Sequence, residues 1–400
     1  METYLRAYGR AARRAGYEPH HFSVSTRTDD EQTDFGVVHR ARSPFRPFRG
    51  LLVPLHQRFL VDRIDRFARL ASPVAPLLIH SFGPWSGVGV AAAKRLRARG
   101  RRVCVVATPF STYDHETCGK IRGLDARTPW TTRLALWTEL AWTRAFVNPS
   151  ERRGFRESNL VAVNYASVER IVREEARHGE RPEGIRFGRM TYASEAAFLR
   201  EGQPRRAVPA AIGALAPASA PLIVAVSRHD PRKGVEVLLR ALSRLRARGT
   251  PFRACLVGGG ELLDRHRQLA ADLGGSAVIT GRVPDAYDYL EHADIFALPS
   301  LEEGSGSVSL LEAMQAGAAP VVSNIDGLPE DVDDGAQALL VPAGDVDALA
   351  AALERLLTDA ALRARIGAGA RARYRERFSG EAFANDLRTL YTRFGFAPDS

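Results

Sequence analysis

Cysteine, methionine and lysine are scarce in this 400-residue chain, with three of each. The cysteines (Cys104, Cys118 and Cys255) lie far apart and form no C-x-x-C pair. That excludes a disulfide framework and a zinc ribbon, and it fits a reducing cytoplasm. No apolar stretch reaches the roughly 18 residues that a membrane-spanning helix requires. The start shows no apolar segment followed by a small-residue cleavage site, so no signal peptide is expected. No aromatic-and-basic RNA signature or recognition-helix pattern occurs, which argues against a nucleic-acid partner. Lys94, Lys120 and Lys233 are the only lysines among 56 basic residues, so a lysine marks a position where arginine was passed over.

What is present describes a globular protein of more than one core. The chain is 45% apolar and 26% charged, and its length exceeds what one ordinary core takes. Charge is uneven. Residues 1–200 carry 34 Lys and Arg against 20 Asp and Glu, whereas residues 201–400 carry 22 against 26. A basic first half is suited to anionic lipid or a phosphate-bearing acceptor; arginine as the default surface residue accounts for it equally.

Short apolar runs alternate with amphipathic helical stretches, the rhythm of parallel α/β sheets. In the first half, strands are expected at His21–Ser25, Leu77–His80, Val103–Ala107 and Ala145–Asn148, with a helix at Gly87–Arg99. In the second half they are expected at Leu222–Val226, Arg253–Val257, Val278–Thr280, Ile295–Leu298 and Ala319–Val322. The division is a first domain over 1–200, an Ala/Pro/Gly-rich connection over 201–221, a second domain over 222–378, and a final helical segment over 379–400.

Four motifs carry the chemistry. In the first, the strand ending at Ser227 leads through Arg228-His-Asp-Pro-Arg-Lys233-Gly234 into a helix. Ligands of such sheets bind beyond the carboxyl ends of the strands, so Arg228 and Lys233 bring two cations there, beside a helix N-terminus that also favours anions. A compact ammonium at Lys233 suits a phosphate; a solvated helix start would use the same residues. The second is Pro299-Ser-Leu-Glu302-Glu303-Gly304-Ser-Gly306-Ser307, continuing to Glu312. Its small residues let backbone N–H groups approach a ligand, Ser305 or Ser307 can cap the helix, and a carboxylate further on suits ribose hydroxyls. A plain acidic surface loop is the alternative. The third is the turn Gly258-Gly259-Gly260 after a strand, and the fourth is Ile325-Asp-Gly327-Leu-Pro329-Glu330 followed by Leu339-Leu-Val-Pro342.

In order and spacing, the four resemble the family 4 retaining glycosyltransferases (glycosyl transferases group 1) of the GT-B fold, over about residues 222–378. The resemblance implies an α/β protein of two Rossmann-like domains whose parallel sheets face a cleft, with the final helix crossing back to the first domain. Arg228 and Lys233 would neutralise the diphosphate of a nucleotide-sugar donor. Glu303 would sit near the donor sugar, and Glu312 would bind the ribose. Gly304, Gly306 and Ser307 would line the phosphates, and Gly258, Gly259, Arg282 and Val283 would border the base. The sequence departs from the family in having E-x8-E instead of E-x7-E, Ser305 for a phenylalanine and Ser227 for a glycine.

The first half resembles the family less. A doubly wound domain opens with a strand and a glycine-rich turn, and here the helix-like Glu2–Ala15 comes first. The expectation is that this strand and loop are missing and that the true start lies about 20 residues upstream. His80 and His115 both follow strand ends and are the candidates for the reacting sugar, His115 being preferred; a structural or surface role is equally open. No D-x-D pair precedes the donor loop, so no metal is expected. The implied activity is metal-independent hexosyl transfer with retention, from a nucleotide-diphosphate sugar to a saccharide or lipid-linked acceptor, in glycan or glycolipid synthesis. The expected place is the cytoplasm, at the inner face of the membrane. A nucleotide-sugar epimerase and a non-catalytic nucleotide-sugar-binding protein are the rival readings.

Overall fold

The computed structural model describes residues 2–44, 53–70, 76–122, 124, 129–177 and 184–397. Two compact units emerge: Met1–Tyr192 together with Phe383–Ser400, and Ala193–Ala382. Both are α/β, as expected.

The first unit opens with α1 (Glu2–Arg14) and contains two sheets. β1 (His20–Ser25), β2 (Asp29–Thr33) and β3 (Gly36–Arg42) form one, in the order β1-β3-β2 with β2 antiparallel to β3. β4 (Leu77–Phe82), β5 (Val103–Thr108), β6 (Leu160–Val163) and β7 (Phe187–Arg189) form the other, all parallel and in chain order. Helices α2 (Val53–Leu70) and α3 (Ser86–Arg97) serve both. Val53, Leu60 and Val61 of α2 and Val88 and Ala92 of α3 enclose Phe22 and Val24 of β1, Ala41 of β3 and Ile79 of β4. Then come α4 (Tyr113–Arg122), α5 (Trp130–Trp142), α6 (Asn148–Glu157) and α7 (Ala166–Arg177). The α3–α6 contact is close because glycine lies on both sides. A Cβ on Gly154 would come within 2.5 Å of Ser86, and one on Gly87 within 2.2 Å of Ser150.

Ala145–Asn148, expected as a strand, is helical instead. The chain passes from α5 through a π-helical turn, Thr143–Val147, into α6. Buried Thr143, Val147 and Asn148 face inward at helical spacing, and that burial replaces the strand pairing so short a run would need. The four-residue strand β6 that follows, paired on both sides by β5 and β7, is too short to stand out in the sequence. The β2–β3 hairpin was overlooked because its residues, Asp29-Asp-Glu-Gln-Thr33 above all, are polar.

The second unit is a six-stranded, wholly parallel sheet. Its strands are β8 (Leu222–Val226), β9 (Arg253–Val257), β10 (Ala277–Gly281), β11 (Ile295–Leu298), β12 (Ala319–Ser323) and β13 (Leu339–Val341), in the order β10-β9-β8-β11-β12-β13. The first five follow the expected runs. Their continuous apolar character reflects burial on both faces, as in β11, where all four residues are buried. Helices α8 (Val235–Ala247), α9 (Leu263–Ala270), α10 (Val308–Ala316), α11 (Val346–Thr358) and α12 (Ala360–Arg377) cover it. Leu238, Leu239, Leu242 and Leu245 of α8 and Leu349, Leu353 and Leu356 of α11 form a core cluster with the sheet. The winding reverses between β8 and β11, where such a sheet opens a crevice beyond its strand ends.

Candidate active site

All four motifs of the second half leave the carboxyl ends of neighbouring strands, and backbone contacts tie them together. After β8, Asp230 accepts from the Arg232 N–H at 3.0 Å and starts a short 3-10 turn, Pro231–Lys233. Gly234 ends that turn at φ +60, and a Cβ there would come within 2.0 Å of the Pro299 carbonyl oxygen. Arg232 O in turn accepts from the N–H groups of Leu301 (2.7 Å) and Glu302 (3.2 Å). The first and second motifs are thus one connected surface.

The glycine turn after β9 fits the same surface. Gly258 has φ +142, and a Cβ on it would meet the Ser227 carbonyl oxygen at 1.8 Å. Gly259 lies under the Arg282 side chain, leaving 2.9 Å for a Cβ, and its carbonyl accepts from the His229 N–H at 3.0 Å. Gly258 N–H donates to Gly281 O at the end of β10, which brings Arg282 and Val283 to the turn.

Lys233 and Glu303 meet directly. Lys233 Nζ is 2.5 Å from one Glu303 oxygen, and Ser300 Oγ donates to the other at 2.6 Å. Their side chains are only 16% and 5% exposed, so this ion pair is largely withdrawn from water. Arg228 differs: its side chain is 64% exposed, with Asp230 at 3.4 Å. A cation on the surface and another inside the loop can both reach an anion beyond β8.

Glu303 and Gly304 are held from the backbone side by a residue that sequence reading passed over. Asp326, after β12, accepts from the Glu303 N–H at 2.7 Å and the Gly304 N–H at 2.8 Å. Among the described residues it is the one non-glycine with positive φ, +50. Aspartate tolerates this conformation better than most side chains, but it remains costly. A carboxylate in such a backbone position next to a glycine was the available signal.

Ser307 occupies the N-cap position of α10, but its hydroxyl pairs with Ser309 Oγ at 3.0 Å and makes no capping bond to the backbone. Ser305 donates to Gly306 O at 3.4 Å, so neither serine is the side-chain cap expected. Glu312, one turn into α10, has its carboxyl pushed up to about 8, first by desolvation and then by Asp285 and Glu195. It is therefore a group able to donate as well as accept near neutrality. His229, inside the first motif, was also passed over. It is fully buried, its Nδ1 lies 2.8 Å from His266 Nδ1, and desolvation lowers both rings to about 4.

The two candidate histidines lie in the first unit. His115 is in the first turn of α4, its N–H donating to Thr112 Oγ1 at 3.3 Å. His80, on β4, is taken up by hydroxyls. Tyr8 and Tyr391 meet its Nδ1 at 2.7 and 2.8 Å, and Thr108 meets its Nε2 at 2.7 Å. Burial pushes the His80 ring down to about 3, so it is neutral at ordinary pH.

Residues 220–359 match the family model described as glycosyl transferases group 1. A phosphatidyl-myo-inositol mannosyltransferase of Mycolicibacterium smegmatis is 40% identical over 145 residues, 36% of this chain and 37% of that protein. A lipopolysaccharide core biosynthesis glycosyltransferase of Rhizobium meliloti is 32% identical over 171 residues, 42% of this chain and 49% of that protein. The chain thus spans less than half the length of these relatives. The fold extends further: sucrose-phosphate synthase of Thermosynechococcus elongatus superposes on 98% of this chain and 92% of its own, with TM-score 0.68 and 22% identity. That fold is GT-B. Through residues 220–359 of its second unit, the chain is similar to the group 1 glycosyl transferases.

Proposed function

We propose that the protein is a retaining glycosyltransferase that moves a hexosyl group from a nucleotide-diphosphate sugar to a hydroxyl acceptor. The observation that carries the reading is the joining of four motifs at the carboxyl ends of adjacent strands, with a surface cation and a buried Lys–Glu pair in one loop surface. Glycosyl transfer separates an oxocarbenium-like sugar from a charged diphosphate, so fixed positive charge at the leaving group is the principal need. Arg228 and Lys233 supply it, and the N-terminus of α10 at Ser307 adds aligned backbone donors. The leaving phosphate assists the acceptor hydroxyl, and no metal takes part.

In this reading Glu312 holds the ribose hydroxyls, and Gly304, Gly306 and Ser307 line the phosphates. Gly258, Gly259, Arg282 and Val283 border the base. Glu303 orients the sugar and shares Lys233 with the diphosphate. The first unit is the acceptor-side domain, and its histidine for the reaction is His115, since the His80 ring is consumed by three hydroxyls. A glycolipid acceptor and a place at the inner face of the membrane are supported by the basic first half and by the inositol-lipid and lipopolysaccharide names of the relatives.

The test is binding and turnover across a panel of nucleotide sugars, with Lys233→Ala alongside and chelator present. One donor bound by the wild-type protein, lost in the variant and consumed in the presence of acceptor supports the reading. A donor bound but never turned over would establish a non-catalytic binding protein instead. Conversion of the donor's sugar without any acceptor would establish an epimerase.

A further inference from the structure

Helix α5 turns a row of large apolar side chains to solvent. Trp130, Leu134 and Trp137 are 73%, 57% and 56% exposed, and the π-helical turn that follows adds Phe146 at 51%. Trp130, Leu134 and Trp137 stand at i, i+4 and i+7 and so share one face, which exposed Ala141 continues. A helix of 13 residues presenting two tryptophans to water requires an account, because single exposed apolar residues are common and contiguous aromatic ones are not.

The charges around the row have a definite sense. Glu139 is the helix's one acidic residue, and it faces inward, accepting from Lys120 (3.1 Å) and Thr117 (3.4 Å) of α4. In two ion pairs beside α5, the acid is the inner member and the base the outer. Lys120 is 42% exposed against 16% for Glu139, and Arg144 is 56% exposed against 22% for Asp114. Outward, α5 itself presents aromatic and apolar side chains and no acid, and exposed Arg144 follows it; Glu116 of α4 is an exposed acid one turn from Lys120.

We propose that α5 is a docking element that lies flat on an anionic lipid bilayer. Trp130, Leu134 and Trp137 enter the boundary between headgroups and acyl chains, with Arg144 at the headgroups. Indole is the side chain best suited to that boundary, and cations beside it are drawn to anionic headgroups. A second copy of the chain is the rival occupant of the row, and the oligomeric state of the variants separates it from a bilayer. The inference rests on the proposed membrane contact and names the helix that makes it.

The experiment is flotation of the full chain with phosphatidylcholine vesicles, pure or with roughly one phosphatidylglycerol in three lipids. Tryptophan emission and light scattering are recorded in parallel. Wild-type protein is expected to float with the anionic vesicles and to shift its emission to the blue. Trp130→Ser with Trp137→Ser, and separately Leu134→Glu, should each weaken partitioning by about tenfold or more. Trp130→Phe with Trp137→Phe, which keeps the rings, should retain most of it. Equal, salt-sensitive binding by wild type and the serine variant would overturn the assignment to α5 while leaving membrane contact through other basic residues. No wild-type binding would overturn both. A dimer lost in the serine variant, without vesicle binding, would show that a second copy covers the row. Nucleotide-sugar binding measured on the same samples keeps the transferase reading separate from all four outcomes.

Discussion

Lys233 Nζ and the Glu303 carboxylate stand 2.5 Å apart at the entrance to a loop whose other proposed partner is a diphosphate. In the proposed complex the ammonium is shared between an internal carboxylate and the ligand. Lys233→Ala is expected to lower donor affinity by roughly ten- to a hundredfold, and to destabilise the fold by about 1–3 kcal/mol because Glu303 is left unpaired. Adding Glu303→Gln should restore most of the stability and none of the affinity. Titration calorimetry and thermal unfolding of the single and double variants check both parts.

Glu312 makes stability depend on pH in a direction opposite to that of most carboxylates. Its carboxyl titrates at about 8 in the folded chain against 4.5 as the ordinary value, so the folded state holds the proton more tightly. The stability this contributes is present below pH 4.5 and is lost as pH rises toward and through 8. Glu312→Gln, permanently neutral, should raise stability at pH 9 by about 1–3 kcal/mol and change little at pH 5. Urea unfolding at the two pH values is the measurement. The same variant should still lose donor affinity, because a carboxylate accepts from two ribose hydroxyls more strongly than an amide does.

Asp326 combines a strained backbone with two acceptor contacts, and substitutions separate them. Asp326→Gly relieves φ +50 but frees the amides of Glu303 and Gly304; Asp326→Ala loses the contacts and keeps the strain. Asp326→Asn retains an acceptor oxygen and tolerates the conformation. Stability should fall in the order wild type, Asn, Gly, Ala, with alanine lower by about 2 kcal/mol. Thermal melts of the four proteins decide the order.

His80 predicts acid sensitivity of the first unit. Its ring titrates at about 3 against 6.5 unfolded, so its stabilisation is complete above pH 6.5 and is lost as pH falls toward 3. His80→Ala would leave the Tyr8, Thr108 and Tyr391 hydroxyls without their shared partner, at a cost of about 3 kcal/mol. It should also flatten the acid limb of the stability curve. Circular dichroism against urea, from pH 7 to pH 4, tests this.

Residues 222–323 were legible in the sequence because buried parallel strands announce themselves as apolar runs bounded by glycine and proline. Lys233 stood out because lysine is rare here, and Glu312 through its distance from the loop. The Lys233–Glu303 pair was not foreseen, since sequence gives no means of knowing which carboxylate turns toward which cation. Asp326 was invisible because its role depends on two backbone amides 22 and 23 positions away. In the first half, β2 escaped because a polar strand has no apolar signal, and Ala145–Asn148 misled because a run with only three apolar residues fits a helix as well as a strand.

Gly234 pressed on Pro299, Gly258 pressed on Ser227, and the Leu301 and Glu302 amides bonded to Arg232 O have a consequence for motion. Loops at strand ends ordinarily open one by one, each with its own small free energy. Here none can lift without breaking a neighbour's contact, so they open together. The amide hydrogens of His229, Gly258 and Leu301 are then expected to report one common opening free energy in hydrogen exchange.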